Sequence, residues 1–284
     1  MIRIGAHVSI AGGISKAIER EREIGGNCGQ IFVSSPRAWA VAEPPPQEVE
    51  MFKEQRERAD QRPYAVHSKY LINLGSDDEN AASKSIEALQ RELDATSRLG
   101  IEFLVLHPGA FTSGKGREDG IDNVSRRLSS LDIKKGTKLL LENTSGRGTT
   151  LGRTFSELSL MMDSSGLGPK RIGICLDTCH AFCGGYAIHE AAGLEAAIKE
   201  LDAEVGLGNL CMMHLNDSVY PFDSRGDQHQ HIGLGEIGEK AFKALLNHES
   251  LLDVPKVLET PVSEDKGFEW NLRKAISLIE RSPH

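Results

Sequence analysis

Long apolar runs are absent from this sequence. None approaches the roughly 18 consecutive apolar residues that a membrane-spanning helix needs. The first residues, MIRIGAHVSIAGG, also lack the charged region, the long apolar region and the small-residue cleavage site of a signal peptide. These absences predict a cytoplasmic protein that does not associate with membranes.

Cysteine is scarce as well. The chain has five cysteines, an odd number in 284 residues, which argues against a disulfide framework. Cys175, Cys179 and Cys183 follow a C-x3-C-x3-C spacing, which does not fit the usual zinc patterns. We therefore expect small buried thiols at these three positions.

Positive charge is in deficit. The chain has 33 lysine and arginine residues against 41 aspartate and glutamate residues, for a net charge of −8. A protein that binds nucleic acid usually has a basic surface, so this balance by itself argues against such a partner. The objection weakens if the protein holds metal ions, which can be the largest charges in a site.

The sequence also lacks an interdomain linker and a nucleotide-binding motif. The proline-rich stretch at Pro44, Pro45 and Pro46 is short and is typical of a loop before a helix. No G-x-G-x-x-G or Walker-type motif follows a predicted strand. We therefore expect a single domain across residues 1–284.

Eight short apolar segments, bounded by turn residues, predict strands that are buried on both faces. These segments are MIRIGAHVS, CGQIFV, RPYAVHS, IEFLVLHPG, TKLLLEN, RIGICLDT, NLCMMHLND and VPKVLET. Helical patterns lie between and after them, at 14–24, 47–59, 79–99, 122–131, 155–162, 194–204, 239–247 and 270–280. This alternation implies a parallel sheet. Eight units of about 35 residues favour an α/β fold of the (β/α)8 TIM-barrel type over an open sheet.

Residues of the types that bind metals end six consecutive predicted strands, at steps of 40, 35, 35, 37 and 45 residues. They are His67, His107, Glu142, Asp177, His214 and Glu259. Barrel enzymes have their active sites at the C-terminal ends of the strands, so these side chains should enter one cavity. Imidazoles and carboxylates packed this closely would repel one another or lose solvation unless a cation held them. The pattern therefore predicts a metal site.

Three further candidates enlarge the ligand set. His180 follows Asp177 by three residues, and the loop after the seventh strand contains Asp227 and His229. Nine ligands are enough for two or three ions if carboxylates bridge. Imidazole and carboxylate donors suit zinc, manganese or iron.

Several long motifs, in this order and spacing, resemble those of the endonuclease IV family of apurinic/apyrimidinic endonucleases. They are GAHVSIAGG, HSKYLINLG, LHPG, LLENTSGRG, LDTCHAF, MHLNDS, DQHQHIGLGEIG and PKVLET, and they extend from Ile4 to about Thr260. The resemblance implies a zinc-dependent DNA-repair phosphodiesterase on a (β/α)8 barrel. Such an enzyme hydrolyses duplex DNA 5′ to an abasic site, which leaves a 3′-hydroxyl and a 5′-deoxyribose phosphate. It also implies 3′-phosphodiesterase cleaning of blocked 3′ ends.

The resemblance further divides the nine candidates among three Zn²⁺ ions, with Mn²⁺ or Fe²⁺ as alternatives at one or more positions. The first ion would be held by His67, His107 and Glu142. Glu142 would bridge to the second ion, which would also be held by Asp177, His214 and Glu259. The third ion would be held by His180, Asp227 and His229.

Hydrolysis in such a site would use a metal-activated hydroxide, since water between two metal ions has a pKa lowered toward about 7. Glu142 and Glu259 are the candidate catalytic residues, and Glu259 could also orient or deprotonate the attacking water. His7 and His231 are expected to contact ligands or phosphate. Surface positions are expected for His189, His248 and His284.

Recognition of an abasic site requires a nucleotide rotated out of the duplex, and proteins fill the resulting gap with apolar or planar side chains. The resemblance implies that Arg37, Tyr70 and Leu71, on loops at the C-terminal ends of the strands, enter the DNA. Packing within its own loop is the favoured role of Trp39. The family's members are typically monomers, and a monomer is expected here. We expect it inside the cell, associated with the nucleoid through DNA.

The chain departs from the family's pattern at three places. Gln228 stands for an arginine, Leu234 for an acidic residue, and Ser34-Ser35 for a more typical Lys-Asn pair. All nine ligands remain, so we expect catalysis to survive.

Two other functions compete with this hypothesis. A divalent-metal sugar isomerase or epimerase of the xylose-isomerase-like type also has Glu, Asp and His at strand ends. Such an enzyme needs no third metal group, so His180, Asp227 and His229 argue against it. A catalytically weak protein that binds abasic sites without cleaving them is the second alternative, and Gln228 and Leu234 are its only support.

Overall fold

Short apolar segments between turns form a closed parallel barrel in the computed structural model, which describes residues 2–112 and 114–280. The barrel strands are β1 (Ile4–His7), β2 (Gly29–Ile31), β3 (Tyr64–His67), β4 (Phe103–Leu106), β5 (Lys138–Glu142), β6 (Ile172–Asp177), β7 (Leu210–His214) and β10 (Lys256–Leu258). Their order around the barrel is β1-β10-β7-β6-β5-β4-β3-β2. The predicted (β/α)8 barrel is therefore confirmed. The position expected for His284 lies outside the described residues.

Helices follow the strands and cover the outside of the barrel. Among the described residues they are α1 (Lys16–Glu23), α2 (Pro46–Ala59), α3 (Glu79–Arg98), α4 (Arg117–Leu128), α5 (Phe155–Ser164), α6 (Thr178–Cys183), α7 (Ala191–Glu204), α8 (Glu239–Asn247) and α9 (Phe268–Ser277). None of these helices combines the length and the apolar character that crossing a membrane requires.

Helix α4 begins five residues before the predicted start at 122 and ends three residues before the predicted end at 131. The side chain of Asp119 accepts a hydrogen bond from the backbone N–H of Gly116 at 3.0 Å. This contact starts the helix in a polar stretch, where apolar periodicity gives no signal.

Two elements at the C-terminal end of the barrel were not predicted. Helix α6 begins directly after β6, and the side chain of Asp177 caps it by accepting from the N–H of His180 at 2.8 Å. Strands β8 (Asp217–Ser218) and β9 (His229–Gln230) form a small antiparallel hairpin in the loop after β7. Both elements bring candidate ligands to the mouth of the barrel.

The apolar core has two parts. Small and medium side chains fill the barrel interior: Cys28, Ala65, Val105, Leu140, Cys175, Met212 and Val257. A larger cluster packs the helices onto the strands and includes Cys179 and Cys183. The three thiols expected to be buried, at positions 175, 179 and 183, are buried and free.

Close packing at the start of β1 gives a test of this fold. A Cβ atom at Gly5 would lie 1.8 Å from the carbonyl oxygen of Cys28 and 2.4 Å from a carboxylate oxygen of Glu21. We expect Gly5→Ala to lower the free energy of unfolding by about 3 kcal/mol, the upper end of the usual cost of overpacking, because the backbone must shift. Urea denaturation measures this change. The control is Gly208→Ala, where an added Cβ meets no atom within 4 Å, and equal stability of the two variants would contradict the described packing.

Candidate metal centre

The nine candidate ligands converge at the C-terminal mouth of the barrel. Their donor atoms form three groups, and within each group the atoms lie within 4.8 Å of one another; a further group meets the same limit with the thiol of Cys179 beside Asp177 and His229. The groups are His67, His107 and Glu142; Glu142, Asp177, His214 and Glu259; and His180, Asp227 and His229. Glu142 belongs to two groups, which is the arrangement expected of a bridging carboxylate.

Glu142, at the end of β5, lies at the centre of the site and has no solvent exposure. Its Oε2 atom lies 3.1 Å from His67 Nε2 and 2.9 Å from His107 Nε2. Its Oε1 atom lies 2.9 Å from Nδ1 of His214. The two oxygens of this carboxylate therefore face different groups of imidazoles.

The second group surrounds Nδ1 of His214, at the end of β7. This atom lies 3.3 Å from Oε2 of Glu259 and 3.9 Å from Oδ2 of Asp177. With Glu142, three carboxylates thus surround one imidazole nitrogen in a buried setting.

The third group depends on the two elements that periodicity did not predict. Helix α6 supplies His180, whose Nε2 lies 3.1 Å from Oδ1 of Asp227. Strand β9 supplies His229, whose Nε2 lies 3.5 Å from Oδ2 of Asp177 and has no hydrogen-bond partner among the described residues. An unpaired buried nitrogen directed at carboxylates is an expected ligand position.

In four of the histidines, the ring nitrogen opposite the carboxylates lies next to an oxygen atom. The pairs are His67 Nδ1 with Ser68 O at 2.8 Å, His180 Nδ1 with Asn143 O at 3.0 Å, His229 Nδ1 with Glu259 O at 3.1 Å, and His214 Nε2 with Gln30 Oε1 at 2.9 Å. These oxygens only accept, so the ring nitrogen in each pair must donate. In a neutral ring the opposite nitrogen then directs a lone pair at the carboxylates. A divalent cation between the imidazole lone pairs and the carboxylates would bind both kinds of group, so the donor set fits metal ions.

Three amide side chains that sequence reasoning missed hold the ligands in place. Gln30 on β2 donates to Oε1 of Glu259 at 2.7 Å and accepts from His214. Asn216 donates to Oδ2 of Asp177 at 2.7 Å and accepts from the N–H of Glu259 at 2.9 Å. Asn143 accepts from the N–H of Asp177 at 2.7 Å. The available signal was a polar amide within or just after an apolar strand.

The pKa values of three carboxylates of the site, Glu142, Asp227 and Glu259, are lowered despite the burial of these groups. Burial alone would raise the pKa of Glu142, but the imidazoles of His107 and His214 hold that pKa well below its usual value. The hydrogen bond from His180 lowers the pKa of Asp227 to about 2. These three carboxylates therefore favour the deprotonated form, which is the form that binds cations.

A cavity of about 810 Å³ opens above the ligands. Tyr70 lines it, is 63% exposed, and contacts the ring of Phe32 edge-on at 5.4 Å. Leu71 is half-buried beside it, and Arg37 is exposed in the loop after β2. Trp39 is 42% exposed. The structure thus places the aromatic side chains of Phe32 and Tyr70 in the wall of the cavity.

The two remaining histidine candidates differ in position. Nδ1 of His7 lies 2.9 Å from Oε1 of Glu259, so this ring contacts a candidate ligand. His231 instead turns towards α9, where its Nδ1 accepts from Asn271 at 2.9 Å and its ring lies edge-on to Trp270. The expected contact of His231 with a ligand residue or with phosphate stays a prediction.

His189 and His248 are less exposed than expected, since their side chains are 27% and 14% accessible. His189 lies against the ring of Phe222, and His248 caps the turn Glu249–Leu251. The departures Gln228 and Leu234 are both exposed.

Comparisons with known proteins agree with this geometry. The family model for xylose isomerase-like TIM barrels matches residues 18–280. A probable endonuclease 4 of Haloquadratum walsbyi is 40% identical over 277 residues, which cover 98% of each chain. The crystal structure of endonuclease IV from Thermus thermophilus matches with a TM-score of 0.85 at 35% identity, over 97% of this chain and 98% of that one. A D-tagatose 3-epimerase-like protein matches with a TM-score of 0.71 at 20% identity, over 98% and 94% of the two chains, which shows a shared fold.

Gln30 gives a test of the amide network. We expect Gln30→Met to weaken metal binding by about 10- to 100-fold, because Glu259 and His214 lose the partner that orients them. Competition with a chelator measures the dissociation constant. Gln61→Met is the matched control, since Gln61 is also buried but donates to the carbonyl of Ile18 away from the ligands. Equal metal affinity in the two variants would show that Gln30 does not orient the ligands.

Proposed function

This chain belongs to the endonuclease IV family, and we propose that it is a DNA-repair endonuclease that cleaves duplex DNA on the 5′ side of abasic sites. The products would be a 3′-hydroxyl and a 5′-deoxyribose phosphate, and the same chemistry would clean blocked 3′ ends inside the cell. The observation that supports this proposal most strongly is the third donor group of His180, Asp227 and His229 beside the pair of groups that share Glu142.

The donor groups suit three Zn²⁺ ions, with Mn²⁺ or Fe²⁺ as alternatives at one or more positions. Such ions, when bound, lower the pKa of water and neutralise charge on phosphate oxygens. The protein's own part is to hold the ligands. Glu142 lies between two imidazole groups, and Glu259, which contacts Gln30 and His7, would orient an attacking water.

Charge neutralisation explains how an acidic chain can accept DNA. The four carboxylates Glu142, Asp177, Asp227 and Glu259 contribute −4, and three divalent ions would contribute +6. The loaded site would therefore be positive within a chain of net charge −8. Substrate attraction would then depend on the metal content of the protein.

Substrate choice would depend on the rim of the cavity. Arg37 lies on the loop after β2, and Tyr70 and Leu71 lie on the loop after β3, where Tyr70 lines the cavity of about 810 Å³. An exposed aromatic ring next to an aliphatic side chain suits a gap in stacked bases. The cavity below would receive the extruded sugar.

A sugar epimerase is the strongest alternative, because the barrel fold is shared with such enzymes. It would need one or two ions and an enclosed pocket for a small polyol. The third donor group and the exposed Tyr70 have no role in that chemistry. These two features favour the nuclease.

Incision of a synthetic abasic site is the direct test. The metal-loaded protein should nick a duplex that contains a tetrahydrofuran residue and should leave a 3′-hydroxyl that a polymerase extends. The tetrahydrofuran analogue has no aldehyde, so nicking also excludes a lyase that forms a Schiff base. Denaturing electrophoresis and primer extension measure the two outcomes.

The control is the same duplex with an intact nucleotide at that position. Failure to nick after reconstitution with zinc or manganese would overturn the nuclease. Tight binding of the abasic duplex without nicking would instead identify a non-catalytic binding protein. Epimerisation of a ketose by the same preparation would favour the sugar enzyme.

Metal content tests the bridging role of Glu142. The purified chain should hold about three ions, and Glu142→Gln should lose more than one, because its carboxylate serves two donor groups. Asp227→Asn is the control and should lose about one, since Asp227 belongs to the third donor group. Elemental analysis measures the ions per chain. Loss of a single ion from Glu142→Gln would contradict a bridge.

A further inference from the structure

A buried lysine joins the two loops that border the cavity. Lys69 follows β3 by two residues and lies next to Tyr70, yet its side chain has 0% accessibility. Its ammonium group donates to the hydroxyl of Ser34 and, at 2.8 Å, to the carbonyl oxygen of Ser35. Both acceptors belong to the loop after β2, so one side chain of the loop after β3 binds directly to the neighbouring loop.

Glu92 holds this lysine from below. The carboxylate lies on α3, is 1% exposed, and accepts from the backbone N–H of Lys69 at 3.2 Å. Its other oxygen lies 3.9 Å from the ammonium nitrogen and has no hydrogen-bond partner among the described residues. Glu92 therefore holds both the backbone and the ammonium group of Lys69 against α3.

The loops joined in this way contain the side chains proposed to enter DNA. Arg37 lies two residues after Ser35, and Tyr70 and Leu71 directly follow Lys69. Loops that are ordered before binding avoid the entropy cost of ordering them on the substrate. Removing the ammonium group of Lys69 from water costs free energy, and its bonds to the loop after β2 offset part of that cost.

We propose that Lys69, clamped by Glu92, is a positioning residue that presets the two DNA-contacting loops by its bonds to Ser34 and Ser35. This inference rests on the proposed function for its substrate. Ser34 and Ser35, which stand for a more typical Lys-Asn pair, supply the two acceptors of this ammonium group. Lys69 acts through Arg37, Tyr70 and Leu71, and it takes no part in hydrolysis.

A pair of variants separates positioning from catalysis. Lys69→Met combined with Glu92→Gln removes the buried ammonium and its carboxyl neighbour together, so that neither group is left without the other. We expect KM for the tetrahydrofuran duplex to rise about tenfold, because loop ordering must then occur on binding, while kcat at saturating DNA changes by less than about threefold. Metal content should equal that of the unsubstituted protein.

The exchange variant provides the rescue. In Lys69→Ser with Ser34→Lys, the ammonium and the hydroxyl change sides of the same contact, and we expect most of the loss in KM to be recovered. Lys256→Met is the matched control, since Lys256 is a buried lysine at the other end of the barrel that donates to the carbonyl of Leu252 at 3.2 Å. This control should leave KM unchanged.

Loop order can also be measured without DNA. The chain has two tryptophans, so Trp270→Phe leaves Trp39, in the loop after β2, as the single reporter. Acrylamide quenching of Trp39 should increase in the Lys69→Met/Glu92→Gln background and return to its original value in the exchange variant. This readout holds even if the protein proves not to cleave abasic DNA.

The outcomes distinguish the two proposals. Absence of nicking by the unsubstituted protein, with the quenching change present, would overturn the proposed function and leave the positioning role intact. Unchanged KM and unchanged quenching in the Lys69 variants would overturn the positioning role. Equal losses in kcat and in metal content would also overturn it, because Lys69 would then support the metal centre and not the loops.

Discussion

Neutralising buried carboxylates is the constraint on which the rest of this structure depends. Glu142 and Asp177 have no solvent exposure, and transferring such charges out of water costs several kcal/mol each unless partners compensate. The barrel supplies three kinds of partner. Imidazoles face the carboxylates, amides such as Gln30 bind the remaining oxygens, and backbone carbonyls orient the imidazoles from behind. Because all three kinds of partner are already in place, the ligands would need little reorganisation when charge develops on a substrate.

The regular spacing of ligand-type residues at the strand ends predicted most of this candidate metal centre, and the reason is physical. A parallel barrel buries each strand on both faces, so its strands are apolar and each ends abruptly in a polar residue at the mouth. The amides escaped prediction because their partners are set by geometry across the barrel. Gln30 on β2 meets His214 on β7, and 184 residues separate them in the chain. Helix α6 escaped because Asp177 ends the strand and caps the helix at once, which leaves no loop to mark the boundary.

His231 shows what spacing alone leaves open. It lies two residues after His229, and in a continuing strand the two side chains would point to the same face. Strand β9 ends at Gln230, however, and Asn271 of α9 then holds the ring of His231. Lys69 was overlooked for a related reason. A lysine beside an exposed tyrosine suggests a solvated side chain, and only the fold shows that Glu92 and Ser35 enclose it.

The loops, and not the barrel, separate this chain from sugar enzymes of the same architecture. Two donor groups come from strand ends, which any barrel of this type can provide, whereas the third requires α6 and the β8–β9 hairpin. The surface that would meet DNA is also made of loops, and loops lose the most entropy when a ligand orders them. A chain that builds its substrate specificity from loops therefore gains from a rigid contact between them. Lys69 meets that need with a single side chain, at the point where the two loops border the cavity above the metal centre.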